Sequence, residues 1–125
     1  MILGLGVDVV EIRRIREALQ HQGDRFIRRV YTEGEQAFCD ARRDPAPHYA
    51  VRFAAKEALF KALGTGWAQG MRWHDVEVLR REQEAPILVL SQEAQKHSEK
   101  LGTRSIHLSL SHSADSALAV VILEN

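Results

Sequence analysis

Residues 2 to 8 alternate. Leu3, Leu5 and Val7 fall on one side and Gly4, Gly6 and Asp8 on the other, the two-residue period of a half-buried strand ending at Asp8. Apolar positions then move to helical spacing. Ile12, Ile15 and Leu19, followed by the pair Phe26 and Val30, predict a mainly helical stretch over 10–30 with a break at Gly23. Thr32 and Glu35 have the form of a capping box. They open a helix that runs toward Arg43 and stops before Asp44-Pro45-Ala46-Pro47. Over about 48–63, Val51, Ala54, Ala55, Ala58 and Ala62 share one face, and Gly64-Thr65-Gly66 ends the pattern with residues able to take positive φ. Val76 and Val78 suggest a strand, Pro86 precedes another at Ile87–Leu90, and Ser91 caps a helix that ends at Leu101-Gly102. Two strands close the chain, Ser105–Ser111 and Ala117–Leu123, joined by a polar turn from His112 to Asp115. The order βααα-ββ-α-ββ predicts an α+β fold, a small antiparallel sheet packed with helices.

With 125 residues, 45% of them hydrophobic and 27% charged, the pattern is expected to form one domain over 1–125. A chain of this size buries roughly 65 to 70% of its unfolded surface, enough for a core without disulfides or a structural metal. Cys39 is the only cysteine, which excludes an internal disulfide, and no Cys/His set has zinc-site spacing. The apolar run Leu118–Leu123 is far shorter than the roughly 20 residues of a membrane helix. The first residues lack a basic region and meet Asp8 before a signal segment is complete. A reducing, cytoplasmic location without a membrane partner is therefore expected.

Seventeen basic residues balance seventeen acidic ones, so no global field draws the chain to nucleic acid. Aromatic content is 6%, with none in the last two strands, so a stacking sheet for RNA is not expected either. Charge is segregated locally. Arg13, Arg14, Arg16, Arg25, Arg28 and Arg29 outnumber Glu11, Glu17 and Asp24 near the front. Such a stretch is either a solvated helix face or a dock for an acidic partner, to which arginine's planar fork is suited.

Candidate chemistry begins at Asp8. On its face of the strand it is preceded only by glycines, which admit a ligand or a second backbone; alternatively it caps the helix beginning near Val10. In the alanine-rich helix Glu57 and Lys61 lie on one stripe at i, i+4, bordering the apolar face, while Arg52 and Lys56 occupy another. Two carboxylates are too few to cage calcium but are what Mg²⁺ usually takes from a protein while it keeps waters and binds phosphates.

These residues carry a resemblance. Gly6-Val7-Asp8-Val9-Val10-Glu11 and Phe53-Ala54-Ala55-Lys56-Glu57-Ala58-Leu59-Phe60-Lys61 are similar to the two signatures of the 4′-phosphopantetheinyl transferases. With Ala62-Leu63-Gly64-Thr65-Gly66 and Ser109-Leu110-Ser111-His112-Ser113, the whole chain resembles the family's short, single-module bacterial branch, the holo-acyl-carrier-protein synthases. The resemblance implies that fold and a transfer of the phosphopantetheine arm from coenzyme A to a serine of apo-acyl carrier protein, for fatty acid biosynthesis, releasing adenosine 3′,5′-bisphosphate. It makes Asp8 and Glu57 the Mg²⁺ ligands and Lys61 the neutraliser of phosphate charge. Glu57, directly or through a metal-held water, takes the serine proton. Arg52, Lys56, Lys61, Gly64 and His112 would bind coenzyme A, although Arg52 could equally be solvated and His112 structural. His107 is expected to be structural, and the ring of Phe60 bears on the pantetheine channel. The resemblance further implies a homotrimer with sites at subunit interfaces, and a carrier helix docked on Arg13, Arg14 and Arg16 with Arg25 and Arg28 nearby. The rival from another class is a non-catalytic basic module that grips an acidic helix; it explains the arginines but not the paired motifs.

Overall fold

A computed structural model describes residues 1–66, 70–81 and 83–125. The chain forms β1 (Ile2–Glu11), α1 (Ile12–His21), α2 (Asp24–Val30), α3 (Glu33–Asp40), α4 (Pro45–Ala62), a 3₁₀ turn (Trp73–Asp75), β2 (Val76–Leu79), β3 (Ile87–Leu90), α5 (Gln92–Leu101), β4 (Ser105–His112) and β5 (Ser116–Glu124). All pairing is antiparallel: β5 lies between β1 and β4, and β2 pairs with β3.

Several boundaries differ from the sequence reading, three of them by more than a residue or two. β1 continues past Asp8 to Glu11, because β5 offers partners as far as Ser116. α3 ends at Asp40, short of Arg43. α4 begins at Pro45, inside the stretch read as a break. Pro45 and Pro47 fall in its first turn, where backbone N–H groups have no intrahelical partner to lose. The capping box is present: Thr32 accepts from Glu35 N–H, and Glu35 accepts from Thr32 N–H.

The core lies between α4 and the inner face of the sheet. Ala54, Ala55, Ala58 and Ala62 are buried on α4, facing Ala117, Ala119, Val121 and Leu123 of β5. β1 meets the same helix through its glycines. A β-carbon on Gly4 would overlap the carbonyl oxygen of Ala62, and one on Gly6 that of Ala58. The second backbone that those positions admit is therefore α4; Val10 on the same face reaches the core, and the alternating Leu5, Val7 and Val9 point the other way. Leu5, Val7 and Val9 are 60%, 46% and 61% exposed on the outer face of the sheet, which half-buried Leu118, Val120 and Ile122 of β5 continue. No helix among the described residues is long and apolar enough to cross a membrane.

Since neither the Ala58 carbonyl nor the paired strand can retreat cheaply, Gly6→Ala is expected to cost on the order of 3 kcal/mol, the upper range for overpacking. A urea titration should show a lower midpoint at unchanged slope.

Candidate active site

Gly4 sits over Ala62 and Gly6 over Ala58, so β1 runs down α4 toward its N-terminal half and carries Asp8 into the neighbourhood of Glu57. Asp8 faces inward opposite Ala119, and its side chain is only 16% exposed. Lys61 Nζ donates to Asp8 Oδ1 at 2.9 Å and to the Val7 carbonyl at 3.0 Å, closing the strand on the helix. Asp8 does not cap α1; the N-cap position is Glu11, with no side-chain bond. Asp8, Glu57 and Arg14 border one cleft of about 280 Å³, with Phe53 and Ile15 on its apolar side. The two motif carboxylates thus share one small space with a cation at its rim.

The expectation for Lys56 is corrected. Lys56 lies fully inside the protein, where its Nζ is 2.7 Å from Glu35 Oε1 and donates to the carbonyls of Val30 at 2.8 Å and Trp73 at 3.1 Å. All three ammonium hydrogens are committed, leaving none for a phosphate of coenzyme A. At about 100° per residue Lys56 turns away from Glu57 and into the helix's buried side. Glu35 is equally buried and its second oxygen accepts from Val78 N–H at 2.8 Å. Burial presses the Lys56 ammonium below the usual lysine range, and the Glu35 carboxylate opposes that. The sequence signals the capping role of Glu35 but not this second one.

A second, larger cavity of about 830 Å³ opens at the other edge of the sheet, where Arg42, His48, Arg52, Arg80, Arg81 and His112 converge. Arg52 is almost fully buried; its guanidinium lies 4.2 Å from the centre of the Phe38 ring and donates to the His48 carbonyl at 3.1 Å. Arg42 stacks on the same ring at 4.0 Å. His112 is the last residue of β4, paired with Ala117, and not part of the turn. The two cavities share no lining residue. Of the cationic set, the sequence reading found Arg52 and His112. Arg42, His48, Arg80 and Arg81 come from segments with no motif, and the excess of arginine in 42–43 and 80–81 is the one signal that pointed there.

The remaining candidates are scattered. Gly64 follows α4 in a left-handed conformation (φ 77°), exposed and walling neither cavity. The loop it begins runs into 67–69, outside the described residues. Phe60 is buried edge-on against Trp73, ring centres 5.8 Å apart, so it packs the core and not a channel. His107 pairs with Glu124 at 3.0 Å on the sheet surface. Among the arginines, Arg16 makes two hydrogen bonds to Asp44, at 2.9 and 3.1 Å, and Arg13 lies near Glu11 and Glu17. Arg25 is exposed on α2, and Arg28 folds back to the Asp24 carbonyl.

The model of the 4′-phosphopantetheinyl transferase superfamily matches residues 4–121. The chain belongs to that superfamily. A holo-[acyl-carrier-protein] synthase of Solibacter usitatus is 47% identical over 125 residues, the full length of both chains. Among solved structures, the holo-[acyl-carrier-protein] synthase of Neisseria meningitidis aligns over all of both chains with a TM-score of 0.90 at 31% identity. That of Helicobacter pylori in complex with coenzyme A aligns with a TM-score of 0.84 at 28% identity, over 96% of this chain and 99% of the other. The α+β architecture read from the sequence is thus the superfamily's own.

Proposed function

We propose that this protein transfers the 4′-phosphopantetheine arm of coenzyme A to a serine hydroxyl of apo-acyl carrier protein, releasing adenosine 3′,5′-bisphosphate. One observation carries the reading: in a superfamily with coenzyme A-bound structures, Asp8, Glu57 and Lys61 meet at the glycine seam between β1 and α4. The serine oxygen forms a bond to the phosphorus that carries pantetheine, and the bond from that phosphorus to the departing 5′-phosphate breaks. The serine proton passes to Glu57, half-buried at the cleft. Lys61, whose ammonium already reaches the cleft, meets charge on the phosphate oxygens. Asp8 and Glu57 are a donor set suited to Mg²⁺, which when bound would neutralise the pyrophosphate. Arg52 and His112 are assigned to the adenosine-side phosphates; Lys56 is withdrawn from that role.

Incubation with coenzyme A, Mg²⁺ and apo-acyl carrier protein should add the mass of the arm to the carrier, whereas a non-catalytic basic module would add none. Asp8→Asn and Glu57→Gln keep volume and lose charge, and each should lower transfer by about two orders of magnitude or more without a shift in thermal midpoint.

Arg14 is the docking arginine that also borders the catalytic cleft, and Arg16 is balanced by Asp44. Arg14→Glu should therefore lower kcat/KM for the carrier and flatten its dependence on salt. The KM for coenzyme A should change little, because Arg14 is not among the residues of the cationic cavity assigned to its adenosine-side phosphates.

A homotrimer belongs to the same reading. The catalytic cleft adjoins edge strand β1 and the cationic cavity adjoins edge strand β4, with β5 and α4 between them. One coenzyme molecule engages both kinds of cavity where the β1 edge of one subunit meets the β4 edge of the next, and the exposed Leu5, Val7 and Val9 supply apolar surface for that contact. Closed cyclic symmetry then repeats the site three times. Sedimentation should give three times the chain mass. Leu5→Asp should yield folded monomers with little transfer activity; a fully active monomer would refute the assembly.

A further inference from the structure

The cationic cavity contains two imidazoles that face each other, and only one of them belongs to a motif. His48 lies in the first turns of α4, one turn before Arg52, whose Nη1 its carbonyl accepts at 3.1 Å. Its ring meets that of His112 edge-on, centres 5.7 Å apart at 71°, and that of Phe38 at 6.0 Å and 67°. Charged groups face it from every element around it: Arg42 and Asp44 beyond α3, Arg52 in α4, His112 in β4, and Arg80 and Arg81 beyond β2. Among the described residues Asp44 is the one carboxylate in that set, and Arg16 already engages both of its oxygens. Burial first, then Arg52, His112 and Arg42, hold His48 below the usual histidine range, with Asp44 in weak opposition. Without a ligand, therefore, the ring is neutral near physiological pH.

We propose that His48 binds phosphate in this cavity by accepting a proton: when a phosphate monoester enters, the His48 imidazole takes one proton from solvent. The inference rests on the reading of this cavity as the site of the adenosine-side phosphates. A dianion among these groups reverses the balance that keeps His48 neutral, because it favours the imidazolium as strongly as the arginines oppose it. His48 thereby becomes a specificity residue for the 3′-phosphate of coenzyme A, the only monoester that molecule carries. A purely arginine-lined cavity would attract any anion, whereas one that completes its charge on binding rewards the dianion most.

Calorimetric titration of the intact protein with coenzyme A, near pH 7.5 where a monoester is mostly dianionic, in buffers of different ionisation enthalpy, reads the proton directly. The wild type should take up about one proton per coenzyme A, and 3′-dephospho-coenzyme A almost none. His48→Phe, which keeps a ring against Phe38 and His112, and His48→Gln should each lose most of the uptake. Both should also narrow the preference for coenzyme A over its dephospho form several-fold. Undiminished uptake in both variants, uptake lost only in His112→Gln, or equal uptake with the dephospho ligand would overturn the role of His48 while leaving the cavity assignment intact. Coenzyme A affinity indifferent to both Arg52→Gln and His112→Gln would instead remove the cavity assignment itself, and the role of His48 with it.

Discussion

The seam between β1 and α4 sets the rest of the molecule. Two side chains are missing, at Gly4 and Gly6, and the space they vacate is filled by the carbonyls of Ala62 and Ala58. Because strand and helix touch backbone to backbone, Asp8 lies within reach of α4 and a lysine on that helix can fold back onto both Asp8 and the Val7 carbonyl. The same contact has a consequence on the opposite face. With glycine on the inside at positions 4 and 6, the bulky side chains that alternate with them, Leu5, Val7 and Val9, point outward. The constraint that assembles the carboxylate cleft therefore also creates the apolar surface on the outer face of the sheet.

An alanine-faced helix lies close to its sheet but offers few interlocking side chains to fix its rotation. Lys56 supplies what the alanines do not. Its ammonium ties α4 to the end of α2 through Val30, to the 3₁₀ turn through Trp73, and to α3 through Glu35, whose other oxygen holds β2 at Val78. A buried ion pair is poor evidence of stability, since its desolvation offsets much of its attraction. Here every hydrogen-bonding site of the pair has a fixed partner on a different element, so any roll of α4 would break several bonds at once. Glu57, the next residue, inherits that definition.

Periodicity and punctuation located nearly every element, because these are local properties: the alternation of β1, the capping box at Thr32, the alanine stripe, and Gly102, observed left-handed at the end of α5. The start of α4 was not legible, since Pro45 and Pro47 read as a break until a helix is known to follow them. Of the site, Asp8, Glu57 and Lys61 were legible because motif spacing survives in sequence. Lys56 was misread because a helical wheel gives direction around an axis but not which directions neighbouring elements will cover. His48 was invisible for the same reason: only the fold brings the first turn of α4 beside the end of β4.

A net charge of zero conceals a sharp separation of function. Acidic groups suited to a metal lie by β1, and a cluster of arginines and histidines suited to phosphate lies by β4. Within one chain the two sets share no lining residue, so Asp8 and Glu57 do not pair with the guanidiniums of that cavity. Two strand spacings put them roughly 10 Å apart across the sheet, about one Debye length at moderate salt, with β5 and the body of α4 between. On the acidic side Arg14 stands at the rim of the cleft, while Lys61 is held by one oxygen of Asp8 and a backbone carbonyl at a half-exposed position. Its ammonium offsets the Asp8 carboxylate and, from a half-exposed position, can turn to a phosphate, so the acidic site stays compatible with an anionic substrate.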